Sequence, residues 1–337
     1  MQLNLFYRKR YPTAFSIERL FDRLALAFES RGLEVNRLEL PQYNNRLGAV
    51  RQNRDWARAQ VQGLSQSVPA INHVTGDVTS IILGMPGPRV ITFHDCNPLL
   101  RYPKWHPRYW FYRWVIFEWP ARKAEAVTVI SEKTRRELLE LTNCSSDNIH
   151  VIPNFVDPMF EHRPKAFHRA YPTLLQVGVK ENKNIGRLAA ALHGIPCRLD
   201  IIGQPGAEDI RQLEDQGIDY HFAAGLTDEE VRQRYVDCDL LVFASTYEGF
   251  GIPILEAQMT GRAVVTSNLS PHREVAGAGG AELVDPEDVS SIRAGILRVL
   301  NDDAYRNTLI NRGLQNAQTY HIDAIAAQYI DLYETIL

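Results

Sequence analysis

Residues 240–256 read Leu240-Leu241-Val242-Phe243-Ala244-Ser245-Thr246-Tyr247-Glu248-Gly249-Phe250-Gly251-Ile252-Pro253-Ile254-Leu255-Glu256. The first five form an apolar, β-rich run, short enough to be a buried parallel strand. Pro253 suits the first turn of a helix, which Ile254 to Thr260 continue. Glu248 to Gly251 therefore occupy the turn between a strand's C-terminal end and a helix N-terminus. Open α/β sheets bind ligands at such turns, and the free N–H groups there attract phosphate. Gly249 and Gly251 let the backbone approach a ligand closely. Two carboxylates, Glu248 and Glu256, bracket the stretch eight positions apart.

The same strand-then-helix alternation runs outward on both sides. Thr173–Val177 is a strand ended by Gly178, and Ile185–Leu192 a helix after a short loop. Arg198–Ile202 is a strand ended by Gly203, and Tyr220–Ala223 another, followed by a helix capped by Thr227. Beyond the central stretch come a strand at Ala263–Thr266, a short helix opened by Ser270-Pro271 and helices over Val289–Leu300, 303–318 and 322–337. The last carries the apolar stripe Ile322, Ile325, Tyr329, Leu332 and Ile336. Asp237-Cys238-Asp239 mimics a metal-binding Asp-x-Asp. It precedes its strand instead of ending one, which removes it as a metal-binding motif.

The N-terminal half opens as a β-α-β unit: a strand at Leu3–Tyr7, a helix from Ser16 to Gly32, and a strand at Val35–Leu40. Residues 44–66 are polar with weak helical character. Ala70–Val74 is a strand closed by Thr75-Gly76-Asp77, with His73 a satisfied histidine near its end. Arg89–Phe93 delivers His94-Asp95 to a strand's C-terminal end, where His94 is a site candidate and Asp95 either a site residue or a cap. Strands at Val127–Ile130 and Ile149–Ile152 flank the helix Glu132–Leu141, and residues 158–171 have the character of a linker.

A chain of 337 residues exceeds one ordinary core and points to two domains of about 150 residues each. The composition, 45% hydrophobic and 23% charged, is that of a soluble globular protein. No apolar run reaches the ~18 residues needed to span a bilayer. Met1 to Tyr7 begin directly as a strand, without a signal-peptide pattern. Cys96, Cys144, Cys197 and Cys238 lie far apart and form no metal-ligand spacing, so a reduced, cytoplasmic protein is expected. Charge is uneven: residues 1–165 hold 23 Lys/Arg against 16 Asp/Glu, a balance of +7, and the remainder −10. That asymmetry directs attention to an anionic partner of the N-terminal half. Arg101–Pro120 interleaves nine aromatic residues with Arg101, Lys104, Arg108 and Arg113. It is either a helix docking aromatics into the core or a basic-aromatic patch for a lipid interface or a ligand groove. No RNA- or DNA-binding motif accompanies it.

The string Tyr-Glu-Gly-Phe-Gly-Ile-Pro-Ile-Leu-Glu-Ala after a buried strand resembles the Glu-x7-Glu motif of retaining glycosyltransferases of family 4. The resemblance implies a GT-B fold, an α/β architecture with two Rossmann-like domains facing a central cleft. The domains would be 1–165, completed by 320–337 as the C-terminal helix crosses back, and 166–319. It further implies that Glu248 contacts the transferred sugar, Glu256 the ribose hydroxyls of a nucleotide diphosphate sugar, and His94 the donor sugar. Lys183 matches the family's diphosphate lysine. The usual arginine is absent, with Val179, Lys180 and Asn182 in its vicinity, so Lys180 is the candidate substitute. Gly178, Gly203, Phe250, Gly251 and Ile252 complete the expected donor site, without a metal or other cofactor. The glycine-rich first loop of GT-B transferases is replaced by Tyr11-Pro12-Thr13-Ala14-Phe15, and Phe155 stands in Pro153-Asn154-Phe155-Val156-Asp157 where the family often has glycine.

The expected activity is sugar transfer to an acceptor hydroxyl with retention, in cell-surface glycan or glycolipid assembly. The expected partners are the nucleotide sugar donor and an anionic or lipid-linked acceptor at the inner face of a membrane. The alternative is a catalytically silent GT-B partner or scaffold subunit. A glycosidase is disfavoured because both carboxylates sit on one domain. A dehydrogenase is disfavoured because no Gly-x-Gly-x-x-Gly follows the first strand.

Overall fold

The computed structural model describes residues 1–9, 16–42, 47–64 and 68–337; the Tyr11–Phe15 loop lies outside them. The chain forms two compact units, one of residues Met1–Asn154 with Ile322–Leu337 and one of residues Phe155–His321.

Six parallel strands build the first unit: β1 (Gln2–Tyr7), β2 (Glu34–Glu39), β3 (Ala70–Val74), β4 (Arg89–Phe93), β5 (Ala126–Val129) and β6 (Ile149–Val151). They lie in the order β2-β1-β3-β4-β5-β6. A buried polar ladder marks the register at β2, β1 and β3. Asn4 pairs with Asn36 and Asn72, and the amides hand hydrogen bonds across: Asn36 to Asn4 at 2.9 Å, Asn4 to Asn72 at 2.9 Å, Asn72 to the Pro86 carbonyl at 3.2 Å. A one-residue slip would turn these amides out of the ladder, so they specify register where apolar side chains would not.

The final helix, Ile322–Thr335, completes this unit. Its Tyr329 and Tyr333 meet Phe28 edge-on, and Arg31 pairs with Asp323 at 2.6 Å. His73 ties the helix to the sheet, with Nδ1 2.6 Å from the Tyr333 hydroxyl and Nε2 2.7 Å from Thr92 Oγ1. Burial drives His73 down to a pKa of about 3, so it is neutral and satisfied.

The weakly patterned 44–66 region contains a full helix, Leu47–Gly63. Only a few of its residues face the core, Ala57 fully buried and Trp56 packed alongside, so its polar majority hides the period.

In the second unit the strands are β7 (Thr173–Val177), β8 (Arg198–Ile202), β9 (Asp219–Ala223), β10 (Leu240–Phe243), β11 (Ala263–Ser267) and β12 (Glu282–Val284), again all parallel. Their order is β12-β11-β10-β7-β8-β9. The three-residue β12 and the helix Ala207–Asp215 were not anticipated from sequence. Residues 155–165, expected in the first domain, pack with the second unit. Lys165 reaches Asp239 at 2.6 Å, and Arg262 donates to the Arg163 carbonyl at 2.8 Å. Asp239 also accepts from the N–H groups of His168 and Thr173. The rejected Asp-x-Asp thus contributes an anchor for the linker.

Candidate active site

Strand order alone marks one edge of the second unit. The chain runs outward from β7 through β8 to β9, then returns to the other side of β7 as β10. The connections after β7 and β10 therefore leave the C-terminal ends of neighbouring strands, the place where open α/β sheets bind ligands. The loop after β7 holds Gly178 and Lys183; the loop after β10 holds Glu248.

Lys183 Nζ lies 2.6 Å from Glu248 Oε1, and both side chains are largely shielded from solvent. The ammonium also sits 4.3 Å from the centre of the Phe243 ring. Asn182 Nδ2 donates to the Tyr247 carbonyl at 2.7 Å and to Glu248 Oε1 at 3.3 Å, while the Thr246 N–H donates to the Asn182 carbonyl at 2.9 Å. Asn184, in a left-handed conformation at φ 62°, bonds to the carbonyls of Ala244 and Pro286. The two loops are therefore stitched together by amide side chains and one backbone bond, which leave little freedom to the Lys183–Glu248 pair.

Gly178 has a steric reason. It sits at φ +84°, and a Cβ there would lie 2.8 Å from Lys183 Cε. Any side chain would push the lysine away from Glu248. Gly203, at φ +126°, backs onto Val179, with 2.9 Å between its notional Cβ and a Val179 methyl. Lys180 is exposed and precedes the short 3-10 turn Glu181–Lys183.

The helix Ile252–Thr260 starts from Gly251, at φ +109°, with Pro253 in its first turn. Its leading N–H groups, those of Gly251 and Ile252, have no intrahelical partner and give this end a partial positive charge. Phe250 is buried and meets Tyr320 edge-on. One turn along, Glu256 accepts a hydrogen bond from the buried Tyr235 hydroxyl. Burial, and then Glu256 itself, push the Tyr235 pKa well above its ordinary value, so the phenol stays a donor. Nothing in the sequence pointed to Tyr235, which lies 21 positions away on another helix.

In the first unit the order reverses between β1 and β3, and His94 follows the adjacent β4. His94 Nε2 lies 2.8 Å from the Thr75 carbonyl, which can only accept, so Nε2 carries the proton and Nδ1 is left as the acceptor nitrogen. Burial, with Arg8 assisting weakly, holds this histidine below its ordinary pKa and keeps it neutral near pH 7. Arg8 joins Glu18 at 2.5 Å and Asp77 at 2.6 Å, spanning the ends of β1 and β3. Asp95 accepts from the Asn97 N–H at 2.9 Å and so caps the following turn. The Arg8–Asp77 ion pair was not anticipated from sequence, because each residue lies in a short loop with no motif.

Two sequence families divide the chain. Residues 17–160 match the one described as Glycosyltransferase Family 4, and residues 160–316 match Glycosyl transferases group 1. The O-antigen chain mannosyltransferase B of Escherichia coli is 31% identical over 273 residues, 73% of this chain and 70% of that protein. The chain belongs to glycosyltransferase family 4. A second Escherichia coli protein, the serotype-specific mannosyltransferase WbdA, is 29% identical over 67% of this chain, a match that spans only 31% of WbdA's own length. Among solved structures, a sucrose-phosphate synthase from Thermosynechococcus elongatus superposes over 100% of this chain and 99% of its own, with a TM-score of 0.82 at 18% identity. The fold is GT-B, and the protein is a glycosyltransferase.

Lys183, Glu248, Gly178 and the helix start at Gly251 gather at one strand crossover. His94 belongs to the first unit with Arg8 and Asp77.

Proposed function

We propose that this chain is a retaining, metal-independent hexosyltransferase that moves a sugar, a mannosyl group by the names of its relatives, from a nucleotide diphosphate sugar to an acceptor hydroxyl. The observation that carries the reading is the Lys183–Glu248 pair at the β7/β10 crossover, 2.6 Å apart beside the helix start at Gly251. A cation and free N–H groups at one helix N-terminus suit a diphosphate leaving group. As the glycosidic bond breaks, charge growing on the diphosphate is met by Lys183, by the exposed Lys180 and by the N–H groups of Gly251 and Ile252. Glu248 then exchanges its lysine partner for the transferred sugar. Glu256, held by Tyr235, receives the ribose hydroxyls. His94 presents Nδ1 as a neutral acceptor to a donor-sugar hydroxyl.

The acceptor is lipid-linked or otherwise anionic, as in cell-surface glycan assembly, and the enzyme works peripherally at the inner face of a membrane. The +7 balance of residues 1–165 supports this. No helix among the described residues is long and apolar enough to cross a membrane.

The test is a thermal-shift screen of UDP-, GDP- and ADP-sugars, mannosyl donors included, since a ligand that binds the folded state raises its midpoint. One donor should stand out, and transfer from it should survive a chelator. Glu256→Ala should weaken that donor's binding by about 1.5–3 kcal/mol, the scale of a charge-assisted hydrogen bond. Binding of a donor without any transfer would favour the silent-subunit alternative. Strict dependence on added Mg²⁺ or Mn²⁺ would overturn the metal-free mechanism.

A further inference from the structure

Residues 101–123 divide their aromatics between two faces. Tyr109, Ile116 and Phe117 are buried, with Phe117 stacked 5.1 Å from Phe93, so the segment is anchored to the first sheet's core. Four tryptophans point the other way: Trp105 is 80% exposed, Trp119 49%, Trp114 42% and Trp110 37%. Such exposure of the largest apolar side chain, repeated within 15 positions, is a marked patch and not scattered surface.

Three of these rings form a row because the helix is locally widened. Trp110 and Trp114 are four apart and meet at 5.2 Å, as neighbours on an ordinary helix do. Trp114 and Trp119 are five apart, which on an α-helix would place them about 140° from each other. Residues Tyr112–Glu118 instead form a π-helix, and the Trp119 N–H donates to the Trp114 carbonyl. That i→i−5 closure returns Trp119 to the face of Trp114, and the rings stack at 6.3 Å with 11° between their planes. Pro120 supplies the cause. It has no N–H for the Ile116 carbonyl and its ring crowds that oxygen, so an α-helical turn is disfavoured; Thr79 Oγ1 donates to Ile116 instead.

The exposed charges of this segment have one sign. Arg101, Lys104, Arg108, Arg122 and Lys123 are exposed. Glu118, the sole acid of residues 101–123, is buried and paired with Arg113 at 3.3 Å and Arg122 at 3.1 Å. Within residues 101–123 the outward side chains are therefore indoles and cations, with no exposed carboxylate among them.

We propose that this π-turn tryptophan face is the docking surface for an anionic lipid bilayer. Indole rings settle at the headgroup level, where an apolar body and a polar N–H are both satisfied, and each nearby Lys or Arg gains from the anionic surface. The inference gives the membrane-side reading of the acceptor a physical surface. It can fail while the transferase reading stands, because donor binding is measured separately.

The full chain is floated with phosphatidylglycerol-containing vesicles and with phosphatidylcholine vesicles. Binding should be confined to the anionic vesicles, fall steeply between about 0.05 M and about 0.5 M salt, and be accompanied by a blue shift of tryptophan emission. Trp114→Ser/Trp119→Ser should lose about tenfold in vesicle affinity. The exposed charge-reversal variant Arg101→Glu/Lys104→Glu/Arg108→Glu should lose at least as much. Both should keep the donor-induced thermal shift, which shows that they are folded. Equal binding to both vesicle types, undiminished binding by both variants, or binding only to a soluble anionic oligosaccharide would overturn the proposal.

Discussion

The two strand-crossover regions of this chain share a topological origin and differ in chemistry. Each lies where a parallel sheet reverses its direction of growth, between β1 and β3 in one unit and between β7 and β10 in the other. The second crossover holds a cation–carboxylate pair, Lys183 with Glu248, next to a helix N-terminus. The first holds a neutral His94, while its arginine, Arg8, is already committed to Glu18 and Asp77. Topology supplies the crossover in both; the residues set in the loops decide the charge it presents.

The strongest way to break that contrast is at the charged crossover. Lys183→Ala should cost about 2–4 kcal/mol of transition-state stabilisation, read as a drop in kcat of roughly one and a half to three orders of magnitude. If Lys183→Ala left kcat intact and only raised KM, the lysine would serve ground-state binding alone.

Acid should strain the other unit. His73 has a folded pKa of about 3 against an ordinary 6.5. The unfolded chain thus binds the extra proton first, and the contribution is fully present above about pH 6.5 and lost as pH falls toward 3. Between pH 6.5 and pH 5 the loss should be about 1.6 kcal/mol, the slope rising from half to nearly the full ~1.4 kcal/mol per pH unit. Urea denaturation at the two pH values measures it, and His73→Gln should flatten the dependence. An unchanged slope in that variant would place the acid sensitivity elsewhere.

The smallest effect sharpens the account of the charged crossover. Asn182→Ala removes the amide that bonds the Tyr247 carbonyl and Glu248, and should cost about 1 kcal/mol in kcat/KM. Restoration of most of that loss by Asn182→Asp would argue against an amide donor at this position.

Much of the fold was legible because its signals are local. Residues 70–74, 89–93, 173–177 and 198–202 declare themselves as strands through short apolar runs, and the helices at 132–141, 185–192 and 303–318 through their period and caps. The 47–63 helix escaped because few of its side chains meet the core, and β12 because three residues carry no period. Within the site, Glu248 and the helix start after it were readable from one continuous stretch. Asn182 was visible as a neighbour of Lys183, but not as the amide that holds Glu248.

By itself the sequence determined where strands end and helices begin, and so which residues sit at strand termini: Gly178, Gly203, His94 and Glu248. Local propensity and the apolar period are enough for that. Only the tertiary structure decided which termini meet. Lys183 and Glu248 are 65 positions apart and adjoin because β10 returns to the side of β7. Tyr333 lies 260 positions from the histidine it bonds, and Trp119 shares a face with Trp114 only because Pro120 cannot satisfy Ile116. Such contacts depend on strand order, burial and the need of every buried polar group for a partner. No spacing along the chain encodes them.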